Sequence, residues 1–203
     1  MTRDRAWFES RLRERNAKPD AAAEIDAAIW RETGRELAIM ATDMSGFTRI
    51  TRERGLVHFL AMFVKGRELA RPIVERHGGT VVKSEADNLL NVFDDVGPAV
   101  RAAAEIRAAL DAQNAAEPDE DARAWFCIGI DHGRVIRLDD DLFGDAVNTA
   151  YKLGEDVAKR REVLLGDAAR ARLPAASGIG LGERRVETAG GVELGYWPLA
   201  FGD

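Results

Sequence analysis

Two apolar runs, "TVVK" (80–83) and "NLLNVF" (88–93), are separated only by the four residues "SEAD". Parallel neighbours need a crossover of about a dozen residues or more, so these runs can pair only as an antiparallel hairpin. The end of the chain repeats the device: "LGERRVETAGGVELGYWPLA" folds back at Gly190-Gly191. "ARAWFCIGIDHG" and "RVIRL" are expected as another strand pair around a glycine turn. "ELAIMATD" and "EVLLG" supply further strands. Helices are expected over 47–77, stopped by "HGG", over "GPAVRAAAEIRAALDAQNAA", with Val100, Ala103, Ile106 and Leu110 on one face, and over "GDAVNTAYKLGEDVAKR". Hairpin-paired strands with helices on one side predict an α+β fold, not a doubly wound sheet.

Residues 1–33 read differently. Trp7, Phe8, Leu12, Ile25, Ile29 and Trp30 fall at helical spacing among many charges, and "AKPD" (17–20) divides them into two helices. The expected division is an N-terminal helical segment, 1–33, and one domain, 34–203. The helix pair is either packed on that domain or a dimerising or signal-input segment.

Charge and cysteine usage narrow the chemistry. The net charge is −6 with no Lys/Arg-rich block, which argues against nucleic acid or an anionic membrane surface as the main partner. Cys127 is the single cysteine and the three histidines are scattered, so no Cys/His metal cluster is available and Cys127 is expected in the core. The N-terminus has no apolar signal region, and no apolar run approaches the ~20 residues that span a bilayer. A soluble, cytoplasmic chain is expected.

In "ATDMSGFTRIT" (41–51) a strand gives way to a helix at Asp43, Ser45 and Gly46. Asp43 or Ser45 reads equally as a helix cap. Yet Gly46 lets a backbone approach a ligand, and free helix-start amides suit a phosphate. A carboxylate beside a phosphate needs a cation between them. Asp87, in the "SEAD" turn, is the second carboxylate such a site would use; its bland reading is a turn former.

In order along the chain, "DMSGFT", "GGTVVKSEADNLLNVF", "IGIDHGRV" and "DLFGDAVNTAYKL" resemble the motifs of the class III nucleotidyl cyclase catalytic domain, over about residues 36–200. The resemblance implies a ferredoxin-like cyclase fold behind an N-terminal helical extension, and conversion of ATP to 3′,5′-cyclic AMP and pyrophosphate. It further implies a homodimer with sites shared between protomers, and two Mg²⁺ or Mn²⁺ ions per site. By position it places the metal ligands on Asp43, Asp87 and the Met44 carbonyl. The phosphate-binding amides fall on Gly46, Phe47 and Thr48, the base-reading pair on Lys83 and Asp141, and the ribose-orienting asparagine on Asn148. Adenine offers an acceptor at N1 and a donor at N6, which a lysine and an aspartate match; guanine reverses that polarity. Pocket size alone would exclude CTP.

Three positions depart from the family. Ala86 replaces a glycine and is expected to be tolerated if its φ is negative. Lys152 stands where the family's transition-state arginine would be, keeping the charge without the planar fork. Thr188 stands for a phosphate-binding lysine in the terminal hairpin, with Arg184 or Arg185 as substitutes. These leave an alternative: a slow or inactive cyclase homology domain serving as a nucleotide-binding or dimerisation module.

Overall fold

The computed structural model describes residues 2–174 and 178–201. Its sheet is built around β1 (Gly34–Met44), whose residues from Leu37 to Thr42 are all buried. After β1 come α3 (Phe47–Arg54) and α4 (Leu56–Arg76), separated at Gly55, whose φ of 92° no helix accommodates. The close-spaced runs form the expected hairpin of β2 (Thr80–Glu85) and β3 (Asn88–Phe93), and α5 (Val96–Ala115) leads into β4 (Phe126–Arg137). The strand order β2-β3-β1-β4 across this βαββαβ unit is the ferredoxin-like arrangement. Beyond β4 the sheet continues through β6 (Val163–Gly166), β8 (Val192–Pro198) and β7 (Arg185–Ala189), while β5 (Leu142–Phe143) pairs with the end of β4. The last hairpin turns at Gly190 (φ 58°) and Gly191 (φ 78°), as its sequence predicts.

Two expectations are corrected. The strand pair expected from "ARAWFCIGIDHG" and "RVIRL" is one unbroken strand, β4, pairing with β1 from Gly34↔Ile136 to Met44↔Phe126. Its glycines serve close packing instead of a turn: a Cβ on Gly133 would stand 3.2 Å from the Ala146 side chain, and one on Gly129 would collide with the Ala150 carbonyl. Nor do the helices share one side. Ala38 and Met40 pack with α4 and α5, whereas Leu37, Ile39 and Ala41 face α6 (Asp145–Lys152). Strand alternation thus separates a thick core from a thinner face covered by α6 and a π-helical turn, Leu153–Val157. A short helix, α7 (Asp167–Arg172), has no counterpart in the sequence reading.

The N-terminal residues form α1 (Arg5–Ala17), opened by Asp4, which accepts from the Trp7 amide at 2.7 Å, and α2 (Ala22–Thr33), which runs straight into β1. Ile25 and Ile29 of α2 are buried, and the Arg134 guanidinium of β4 lies 4.4 Å from the Trp30 ring. Cys127 is buried in β4, and burial, with Asp43 nearby, pushes its thiol up to about 12. Among the described residues no helix is long and apolar enough to cross a membrane.

Candidate functional site

Along β1, Asp43 shares the parity of Leu37, Ile39 and Ala41, so it points to the α6 face. It lies opposite Asn88 of β3 and Cys127 of β4. The Met44 amide donates to the Asp87 carbonyl at 3.2 Å, drawing the β2–β3 turn against the end of β1. Burial, then the neighbouring charges of Asp87 and Glu155, push the Asp43 carboxyl up to about 7 against the pull of the Met44 amide. Glu155, whose Oε1 accepts from Asn88 Nδ2 at 2.9 Å, is raised by burial, Asp156 and Asp87. The sequence reading missed Glu155, because the π-helical turn that swings it under the β2–β3 turn has no local signature.

The helix-cap reading fails here. The N-cap of α3 is Gly46, at φ 97°, and no side chain caps the helix; Ser45 Oγ is buried without a hydrogen-bond partner. The Phe47 and Thr48 amides therefore stand in a first turn without intrahelical acceptors. Asn88 Oδ1 is likewise buried and unpartnered. Among the described residues no set of three or more His, Cys, Asp or Glu side chains is arranged to hold an ion; Asp43 and Asp87 are near enough for the charge of Asp87 to act on Asp43. An oxygen-only donor set with excess negative charge fits a hard cation such as Mg²⁺, which uses one or two carboxylates and completes its shell with water and phosphate. The condition for tolerating Ala86 is not met: its φ is +47°, the region where a glycine would be unstrained.

On the same face, β2 carries a bulge between Val81 and Lys83 that places Lys83 opposite Leu90. Lys83 Nζ lies 3.3 Å from Asp141 Oδ2 and 3.1 Å from Glu85. Asp141 Oδ1 accepts from the Leu142 amide at 2.9 Å. Burial alone would raise the Asp141 carboxyl, but Arg5, the Leu142 amide and Lys83 outweigh it and hold it below its ordinary value. Tyr151, unremarked in the sequence, is half-buried and senses Glu155, Lys83 and Asp141 together; burial first, then Glu155, raises its hydroxyl.

Asn148 is exposed on α6, one turn before Lys152. The Lys152 ammonium lies against Gly190, where a side chain on that residue would stand, so α6 and the terminal hairpin meet at this cation. Thr188 is exposed on β7. Arg184 is committed elsewhere, to Asp167 at 2.6 Å, and Arg185 opens β7 opposite Tyr196. The structure thus brings Asp43, Met44 and Asp87 together, and Lys83 with Asp141, while Asn148 and Lys152 stand on a third element.

Comparison with known proteins gives a consistent pattern. The chain is 35% identical over 117 residues to a Rhizobium meliloti (strain 1021) protein carrying the provisional name adenylate cyclase 3, covering 57% of this chain and 20% of that protein. It is 31% identical over 134 residues to an adenylate cyclase of Streptomyces coelicolor, covering 66% and 33%. The chain therefore spans a fifth to a third of the curated relatives it matches. A crystal structure of an adenylate/guanylate cyclase/hydrolase from Silicibacter pomeroyi superposes with a TM-score of 0.68 at 27% identity, over 82% of this chain and 96% of that one. No protein-family profile matches.

Proposed function

Since the chain carries a class III nucleotidyl cyclase homology domain, we propose that it converts ATP to 3′,5′-cyclic AMP and pyrophosphate as a homodimer. Residues 34–203 would be the catalytic domain and 1–33 a helical segment before it. The observation that carries the reading is the pairing of Asp43 with Asp87 beside the uncapped start of α3. A divalent cation held by Asp43, Asp87 and the Met44 carbonyl would supply charge neutralisation for the triphosphate and a lowered pKa for the ribose 3′-hydroxyl. The Gly46, Phe47 and Thr48 amides hold the terminal phosphates. Lys83 donates to adenine N1 while Asp141 accepts from the N6 amino group. Asn148 orients the ribose so that its 3′-oxygen meets the α-phosphorus in line with the departing pyrophosphate, and Lys152 meets the charge that develops there. In the dimer, one protomer supplies Asp43 and Asp87 and its partner supplies Lys83, Asp141, Asn148 and Lys152.

Incubation with each of ATP, GTP, CTP and UTP, with Mg²⁺ or Mn²⁺, tests the reaction by product mass: cyclic AMP from ATP is expected, and a preference for GTP refutes the base assignment. Mixing Asp43→Ala and Asn148→Ala chains tests the sharing. Each homodimer is inactive, but a heterodimer gathers both lesions in one site and leaves the other intact. No recovery after verified subunit exchange would put each site within one chain. A second reading, a nucleotide-binding or dimerisation module without turnover, is favoured by Lys152 packing on its own hairpin and by Thr188. Binding of ATP with no product from any triphosphate would select it.

A further inference from the structure

The N-terminal helix reaches the base-reading pair. Arg5, the first residue of α1, donates from Nη2 to Asp141 Oδ2 at 2.8 Å, the oxygen that Lys83 approaches at 3.3 Å, and its Nε lies 3.4 Å from Asp140. Neighbouring contacts seat the helix there. The Asp139 amide donates to the Arg3 carbonyl at 3.1 Å, the Thr2 hydroxyl donates to Asp139, and Phe8 stacks on Phe143 with ring centroids 5.6 Å apart. Residues 2–8 therefore run beside 138–143, the segment that presents Asp141.

A carboxylate has about four acceptor positions. Leu142, Lys83 and Arg5 fill three of those on Asp141, and two of the three donors are cations. A neutral exocyclic amine is the weaker donor and must displace or share with one of them. Arg5 is the partner free to leave: its side chain is 44% exposed against 13% for Asp141, and α1 contributes no buried residue. A helix with so little burial opens at small cost.

We propose that Arg5 competes within the chain for the place of adenine's amino group on Asp141, making α1 a latch that weakens ATP binding until it is lifted from residues 138–143. The inference rests on the assignment of Lys83 and Asp141 as adenine readers.

The test compares wild type with Arg5→Gln, Arg5→Lys and the control Arg13→Gln, an exposed residue paired within α1 to Glu9. KM and kcat for ATP are measured, with the Kd of 3′-deoxy-ATP, which lacks the attacking hydroxyl. Arg5→Gln should lower both KM and Kd by up to about fivefold, the range of a half-exposed ion pair, with kcat nearly unchanged. Arg5→Lys should fall between, and Arg13→Gln should match wild type. Amide exchange over residues 5–17 should quicken when 3′-deoxy-ATP binds. A KM that stays level or rises in Arg5→Gln, or slower exchange in α1 on binding, overturns the latch while leaving the cyclase reading intact. If wild type and all variants neither bind nor turn over any triphosphate, the cyclase reading fails and the latch fails with it.

Discussion

At the Asp43 end of the α6 face, Asp87 and Glu155 crowd a carboxyl that is pushed up to about 7, and polar atoms of Asn88 and Ser45 lie buried without partners. At the Asp141 end of the same face, Lys83 and Arg5 hold a carboxyl below its ordinary value with its acceptor positions mostly filled. In the first region the carboxylates outweigh the charge of Lys152, which reaches Glu155. In the second, the chain's own cations already pair with the carboxylate. Like chemistry, an aspartate at a strand end, is crowded by carboxylates in one place and paired with cations in the other.

The largest effect should come from emptying the first region. Asp43→Ala or Asp87→Ala should each remove nearly all turnover without lowering the melting temperature, since removing either carboxylate also relieves repulsion. A variant keeping more than about a tenth of the wild-type rate breaks the two-carboxylate assignment, because a lost ion costs several kcal/mol of charge stabilisation.

Next comes the Lys152 ammonium, whose charge reaches Glu155 of the first region. Lys152→Ala should lower kcat roughly 10²-fold, the cost of one preorganised donor, with little change in KM. Lys152→Arg should be neutral or faster where the larger group clears Gly190. If Lys152→Ala turns over ATP as fast as wild type, the ammonium serves only its contact with the terminal hairpin.

A smaller effect sharpens the electrostatic contrast itself. Asp43's folded-state pKa lies above its ordinary value of 3.8, so the stability it contributes is fully present below that value and is lost as pH rises through about 7. Mg²⁺ should therefore raise the melting temperature more at pH 8 than at pH 5.5, and Asp43→Asn should erase the difference. Equal gains at both pH values would mean that no charge deficit exists there.

The smallest effect concerns the turn that presents Asp87. Ala86 at φ +47° carries the Cβ penalty of the left-handed region, so Ala86→Gly should stabilise by about 1 kcal/mol, or about 2–4 °C in a domain of this size. A lower melting temperature in Ala86→Gly would show that the turn is relaxed as it stands.

Local chemistry made much of this legible. Hairpin spacing fixed the antiparallel pairing of β2 with β3, Gly190-Gly191 marked the last turn, and Gly46 marked a strand-to-helix junction. Each signal acts over a few residues, where backbone sterics and loop length leave one choice. β4 was misread because Gly133 carries the same local signal whether it turns a chain or lets α6 approach. The φ of Ala86 stayed open in the sequence, because an alanine takes a positive φ only where the surrounding turn compels it.

From its sequence alone, then, this chain determined its two hairpins, β2 with β3 and β7 with β8, its ferredoxin-like α+β class and the residue types at each candidate position. The tertiary structure alone decided which further groups join Asp141 and Asn88. Arg5 reaches Asp141 across 136 residues and Glu155 reaches Asn88 across 67, contacts that no propensity or period encodes. Pairing between distant residues depends on how whole elements pack, and a carboxylate's acidity depends on what that packing sets beside it.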